Sequence, residues 1–181
     1  DWQIDEAADS LIRNELIEPI IIVGIYNTTD RDDEYSDAKL GISYMRFIVD
    51  SLKPFIDRNY RTQPDRESTA NGGGSLGGLI AFILMWDYSE IFSKAICFSP
   101  AFKIDQYDFV DNVKSYKGKV KDFKLYINNG DNELDSQLQP GVDEMLKVLQ
   151  DKGYKQKDDY YFYQGTNSQH SERDWANHIW R

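Results

Sequence analysis

Cysteine is almost missing from this chain: Cys97 is the only one in 181 residues. That excludes an internal disulfide and any zinc-ribbon or thioredoxin-type pair. Cys97 stands in the apolar run Ala95-Ile96-Cys97-Phe98, where a free thiol is expected to be a buried structural residue. Histidine is scarce too, so an imidazole base must be His170 or His178. No apolar run reaches the roughly 18 residues of a membrane span. The longest, Leu79 to Trp86, has the length of a core helix. Basic residues are outnumbered 31 to 21, and the resulting formal charge of −10 repels phosphate backbones. Neither a membrane nor a nucleic acid is therefore expected as a partner. What remains is 40% hydrophobic and 29% charged, an ordinary balance for one soluble domain spanning residues 1–181.

Strand and helix signals alternate along the chain. Ala8, Leu11, Ile12 and Leu16 repeat at helical spacing between Asp5 and Leu16. After Pro19, the β-branched run Ile20 to Ile25 reads as a strand buried on both faces. A polar loop (27–36) leads to a second helix at about Ile42 to Asn59, in which Pro54 predicts a kink. Further strands are expected at Ser68–Gly72, Lys94–Phe98, Phe123–Asn128 and Tyr160–Tyr163. Leu76–Trp86, apolar on nearly every side, predicts a buried helix, and Val142–Lys152 an amphipathic one closed by Gly153. A terminal helix starts near Ser171. No repeat or linker divides the chain. The pattern predicts an open, mainly parallel α/β sheet with right-handed crossovers.

Between the strand ending at Gly72 and the apolar helix lies Gly73-Gly74-Ser75-Leu76-Gly77, a G-x-S-x-G pattern. Its logic is a sharp strand-to-helix turn that lifts a strained serine into the open, with small residues on either side. The helix N-terminus aims free N–H groups at negative charge developing beside that serine. Leu76 would supply one oxyanion donor. Gly-Gly-Gly-Ser is also linker composition, and glycines before a helix can cradle phosphate. A buried helix directly downstream opposes the linker, and no Walker lysine or extended G-x-G-x-x-G supports the phosphate loop.

A serine nucleophile needs a base and an acid, in the chain order Ser, acid, His. His170 lies in the polar loop after the last predicted strand, where the base belongs, whereas His178 falls in the terminal helix. The acid belongs in the loop after Phe123–Asn128, which offers Asp131, Glu133 and Asp135. Position alone does not choose among them.

These residues together resemble the esterase family that includes esterase D, enterochelin esterases, feruloyl esterases and the antigen 85 acyltransferases. The resemblance extends over essentially the whole chain. It is carried by Pro19–Gly24 with Arg31-x-x-Glu34-Tyr35, by Thr69–Gly78, by Ser99-Pro100 and by His170-Ser171-Glu172-x-x-Trp175. It implies an α/β-hydrolase fold with helices on both faces of the sheet, Ser75 as nucleophile and His170 as base. The family's G-x-x-D/E turn matches Gly130-Asp131-Asn132-Glu133, which makes Glu133 the preferred acid, with Asp135 and Asp131 as alternates. Asn71 and Gly74 depart from the family pattern. Asn71 would need a buried partner, and Gly74 would loosen the turn. Only two strands precede or form the turn at Ser75, so the fold is expected to be N-terminally truncated, without the loop that gives a second oxyanion N–H.

The expected function is carboxylic ester hydrolysis through an acyl-enzyme, acting on a small-molecule ester with no metal or organic cofactor. Two alternatives use the same features: an acyltransferase with the same triad, and a non-catalytic domain that binds ligands or oligomerises through an exposed sheet edge. Trp86, Trp175 and Trp180 are candidates to line a pocket, with core packing as the competing role.

Overall fold

The computed structural model describes residues 2–179. It opens with helix α1 (Ile4–Arg13) and the single turn α2 (Arg31–Glu34). A longer rod follows: α3 (Lys39–Arg46), a π-helical turn (Phe47–Leu52) and α4 (Lys53–Asn59). Pro54 sits at the start of α4, directly after the π-helical turn. A proline lacks one N–H and pushes its ring against the carbonyl four residues back. The wider π-helical turn accommodates that ring, so the helix changes pitch there.

The sheet is built from β1 (Ala70–Gly74), β2 (Lys94–Phe98), β5 (Lys124–Asn129) and β6 (Tyr160–Gln164), in the order β1-β2-β5-β6. All its pairings are parallel, with Ala70 opposite Lys94, Phe98 opposite Asn128, and Asn129 opposite Gln164. Helix α5 (Leu76–Asp87) connects β1 to β2, and α7 (Glu133–Asp151) connects β5 to β6. Between β2 and β5 run the hairpin of β3 (Lys103–Ile104) and β4 (Tyr107–Asp108) and then helix α6 (Val110–Ser115). The short α8 (Glu172–Ala176) follows β6. The hairpin and α6 carry too few periodic residues for a sequence signal.

One face of the sheet holds the core. Ala95 and Cys97 of β2, and Leu125 and Ile127 of β5, pack with α5, with Val110 and Val113 of α6, and with the α7 stripe Leu138, Val142, Met145 and Leu149. Helix α5 lies deepest, with Phe82, Ile83 and Met85 fully buried, as expected for a helix apolar all round. Trp86 stacks with Phe82 and meets Tyr116 edge-on, so it is a core residue. Trp180 lies outside the described residues. The opposite face carries a row of rings, Phe98, Tyr126 and Tyr161, with Trp175 of α8 and Trp2 gathered at its carboxyl end. Among the described residues, no helix is long and apolar enough to cross a membrane.

The expected strand at Ile20–Ile25 is not in the sheet. These residues form no regular element, and none of their backbone groups bonds another backbone group among the described residues. β-Branched composition suits a strand, but a strand exists only through a neighbour's ladder. Strand β1, which forms one edge of the sheet, pairs only with β2 among the described residues.

Candidate active site

Ser75 occupies the turn from β1 into α5 with φ 61° and ψ −126°, a conformation that costs a non-glycine residue on the order of 1–3 kcal/mol. Four backbone hydrogen bonds hold it there. Its N–H donates to Phe98 O at 2.9 Å, and its carbonyl accepts from Gly78, Leu79 and Ala101 at 3.0–3.2 Å. The turn is tight enough that a Cβ on Gly73 would stand 2.4 Å from the Gly77 carbonyl oxygen, so only glycine fits there. The Leu76 and Gly77 N–H groups, at the head of α5, have no backbone partner among the described residues. Such N–H groups point along the helix axis and favour negative charge. The Ser75 hydroxyl makes no hydrogen bond among the described residues.

His170 sits in the loop between β6 and α8, half-buried, with Nδ1 2.6 Å from Asp135 Oδ1. A carboxylate oxygen there makes Nδ1 the protonated nitrogen, which leaves Nε2 with a lone pair. The ring meets Trp175 edge-on at 5.0 Å. Ser171 caps α8 by accepting from the Asp174 N–H, which fixes the chain direction just beyond His170. His178 lies in the turn after α8 rather than inside a helix, against the Tyr163 ring.

The loop from β5 into α7 brings all three candidate acids to the histidine loop, each against a different residue. Asp131 Oδ1 accepts from the Ser168 N–H at 3.2 Å, and Glu133 Oε1 lies 3.5 Å from Gln169 Nε2. Asp135 reaches His170. The geometry therefore differs from the preference for Glu133. Glu133 opens α7 with φ +50°, and its side chain lies at the exposed rim. Asp135, two residues on in the first helical turn, points inward and is fully buried. Its Oδ2 accepts from the Gly130 N–H at 2.8 Å and from the Ser99 hydroxyl at 2.9 Å. Every Asp135 oxygen thus has a donor, which a buried carboxylate requires.

Sequence reasoning gave Ser99 and Trp175 no part in this network. Ser99, with φ +43°, follows β2 and is fully buried. Its oxygen accepts from the Trp175 indole N–H at 2.8 Å. The signal was present in Ser99-Pro100 and in the tryptophan five residues beyond His170, but neither pattern shows that the two side chains meet. Gly74 also reads differently in three dimensions. A Cβ there would lie 2.6 Å from the Trp175 ring, so the space a side chain would take belongs to that ring. Asn71 has no partner for either amide atom among the described residues.

A family model described as "Putative esterase" matches residues 1–181. A ferulic acid esterase structure is similar to this chain with TM-score 0.77 and 17% identity, over 99% of this chain and 74% of that one. The enterobactin esterase FES from Shigella flexneri is similar with TM-score 0.71 and 14% identity, over 94% of this chain. This chain spans 46% of that longer protein. The BES protein from Bacillus cereus matches with TM-score 0.70 and 15% identity, over 98% of this chain and 76% of that one. At these identities the structural likeness establishes the fold, an α/β-hydrolase-like parallel sheet with helices.

Proposed function

The chain belongs to the Putative esterase family, and from that premise we propose that it is a serine carboxylic ester hydrolase working through an acyl-enzyme. Ser75 is the nucleophile, His170 the base and Asp135 the acid that orients it. The Leu76 N–H is an oxyanion donor. The observation that carries this reading is the 2.6 Å bond from His170 Nδ1 to the buried Asp135, at the same carboxyl edge of the sheet as the strained Ser75.

In this reading the steps are those of a serine, histidine and acid acting in turn. His170 Nε2 takes the Ser75 proton as Oγ attacks the ester carbonyl carbon, and Asp135 stabilises the imidazolium that forms. Negative charge on the former carbonyl oxygen meets the free N–H at the head of α5. The tetrahedral species collapses as His170 returns the proton to the leaving alcohol. Water, activated by the same imidazole, then releases the carboxylic acid and restores Ser75. The substrate is a small-molecule ester. The named activities of the similar structures make feruloyl esters a natural second probe beside p-nitrophenyl acetate.

Replacing Ser75 with alanine should lower p-nitrophenyl acetate turnover by at least about 10³-fold. Wild type and variant hydrolysing at equal rates would sink the proposal. A fluorophosphonate probe separates it from a binding domain, since only an activated Ser75 forms the adduct. Acyl transfer would use the same residues and differ only in adding product when an alcohol acceptor is supplied. The outer edge of β1, paired on one side only among the described residues, supports a second reading in which two copies associate there. Sedimentation showing only monomer would overturn that reading.

A further inference from the structure

Asp135 holds His170 only as well as Asp135 itself is held, and that depends on a side-chain relay outside the three reacting residues. The Ser99 hydroxyl carries one proton and can accept from one or two donors. The Trp175 indole N–H, 2.8 Å away, can only donate, so the Ser99 proton is committed to Asp135 Oδ2 at 2.9 Å. Trp175 thus fixes which way the Ser99 hydroxyl points. The Gly130 N–H closes the other approach to Oδ2, which leaves Oδ1 for His170.

The same tryptophan touches both of the other partners. Its ring packs edge-on against the His170 imidazole at 5.0 Å and fills the space beside Gly74, the residue before the nucleophile. It also meets the Trp2 ring at 5.0 Å, and it is buried. One rigid indole therefore meets the base through its edge, the acid through Ser99, and the nucleophile's strand through Gly74.

We propose that Ser99 and Trp175 are positioning residues for the His170–Asp135 pair, and that Gly74 lacks a side chain so that the Trp175 ring can take that space. The claim about turnover rests on the reading of Ser75, His170 and Asp135 given above. The claim about geometry does not, because the His170–Asp135 bond exists in the resting protein.

The test uses Ser99→Ala, Trp175→Phe, the double variant and Gly74→Ala in the full chain. Trp175→Phe keeps an aromatic ring and removes the N–H, so it isolates the relay from packing. In proton NMR of the wild type, the His170 Nδ1–H should give a resonance far downfield of the amides, as a short charge-assisted bond does. Each variant should shift that resonance upfield or broaden it by exchange. Loosened alignment should lower kcat on the order of 10- to 100-fold while KM stays within about twofold. Because the Trp175 N–H acts through Ser99, adding Trp175→Phe to Ser99→Ala should give little further loss of kcat. A resonance with the same position and exchange rate in wild type and Trp175→Phe would overturn the proposal, as would fully additive kcat losses. If the wild type hydrolyses no ester, the functional reading fails and the resonance alone still decides the relay. If Ser99→Ala fails to fold, the resonance in Trp175→Phe decides it.

Discussion

Residues 70–176 and the run Ile20–Ile25 use similar amino acids to opposite effect. From Ala70 onward, the apolar run Leu79–Trp86 is buried against β1 and β2 within the core, and the strand residues Cys97 and Ile127 are fully enclosed. Before it, Ile20 to Ile25 is equally apolar, yet Ile20 is 54% exposed and Ile21 47%. The contrast shows that hydrophobicity records what a segment can bury, while the ladder decides whether it does. It also shows where the proposed site lies. Ser75, Ser99, Asp135, His170 and Trp175 all belong to the sheet-containing part, at the carboxyl ends of its strands or in the loops and helices just beyond. Ligands of open parallel sheets bind at that edge.

The sharpest way to break the comparison is at the site itself, by exchanging the two acids of the first turn of α7. Asp135→Asn removes the acceptor that fixes the His170 tautomer and should lower kcat by about 10³- to 10⁴-fold. Glu133→Gln should change it by less than about threefold, since its contact is a 3.5 Å approach to Gln169 at the rim. Steady-state hydrolysis of p-nitrophenyl acetate checks both. A large loss in Glu133→Gln with little in Asp135→Asn would return the acid to the position that the family pattern implied.

A second measurement sets the two apolar runs directly against each other. Phe82→Ala empties a fully enclosed site in contact with Phe102, Phe109 and Trp86, and should cost about 3–5 kcal/mol of unfolding free energy. Ile22→Ala, on the exposed run, should stay within about 0.5 kcal/mol. Urea denaturation of both variants decides it. Comparable losses would mean that the Ile20–Ile25 run is packed as tightly as α5.

Much of the sheet-containing part was legible because its signals are local and strong. The Ser75 turn needs glycine beside a strand and an apolar helix behind it, and both stand in consecutive residues. β2, β5 and β6 begin within one residue of the positions read from their apolar runs, and Gly153 follows α7 as the helix-stopping residue. Where the reading missed, a partner distant in sequence decides the outcome. Ile20–Ile25 has the composition of a strand without a neighbour. Glu133 fits a turn pattern, but which carboxylate turns inward depends on φ +50° at Glu133 and on Ser99, 36 residues before Asp135. Gly74 suggested looseness because nothing near it in sequence reveals the Trp175 ring.

The last expected effect is modest and opposite in sign to the losses above, and it tests an unpaired polar group inside the sheet. Asn71 stands opposite Ala95 in the β1–β2 ladder, on the face that packs against α5, and both polar atoms of its amide are buried without a hydrogen-bond partner among the described residues. An unpaired buried polar group carries a desolvation cost of about 1–3 kcal/mol. Leucine, with the same branched four-atom skeleton as asparagine, removes that cost and adds apolar contact with the α5 side of the sheet. Asn71→Leu should therefore stabilise the protein by about 1 kcal/mol, raising Tm by roughly 2–4 °C for a domain of this size. Because Asn71 stands near the start of β1, away from the carboxyl ends of the strands where the proposed site lies, ester turnover should stay the same. A thermal melt checks the sign. A fall in Tm would mean that the Asn71 amide is satisfied in solution, and that β1 is as well supported as the strands beside it.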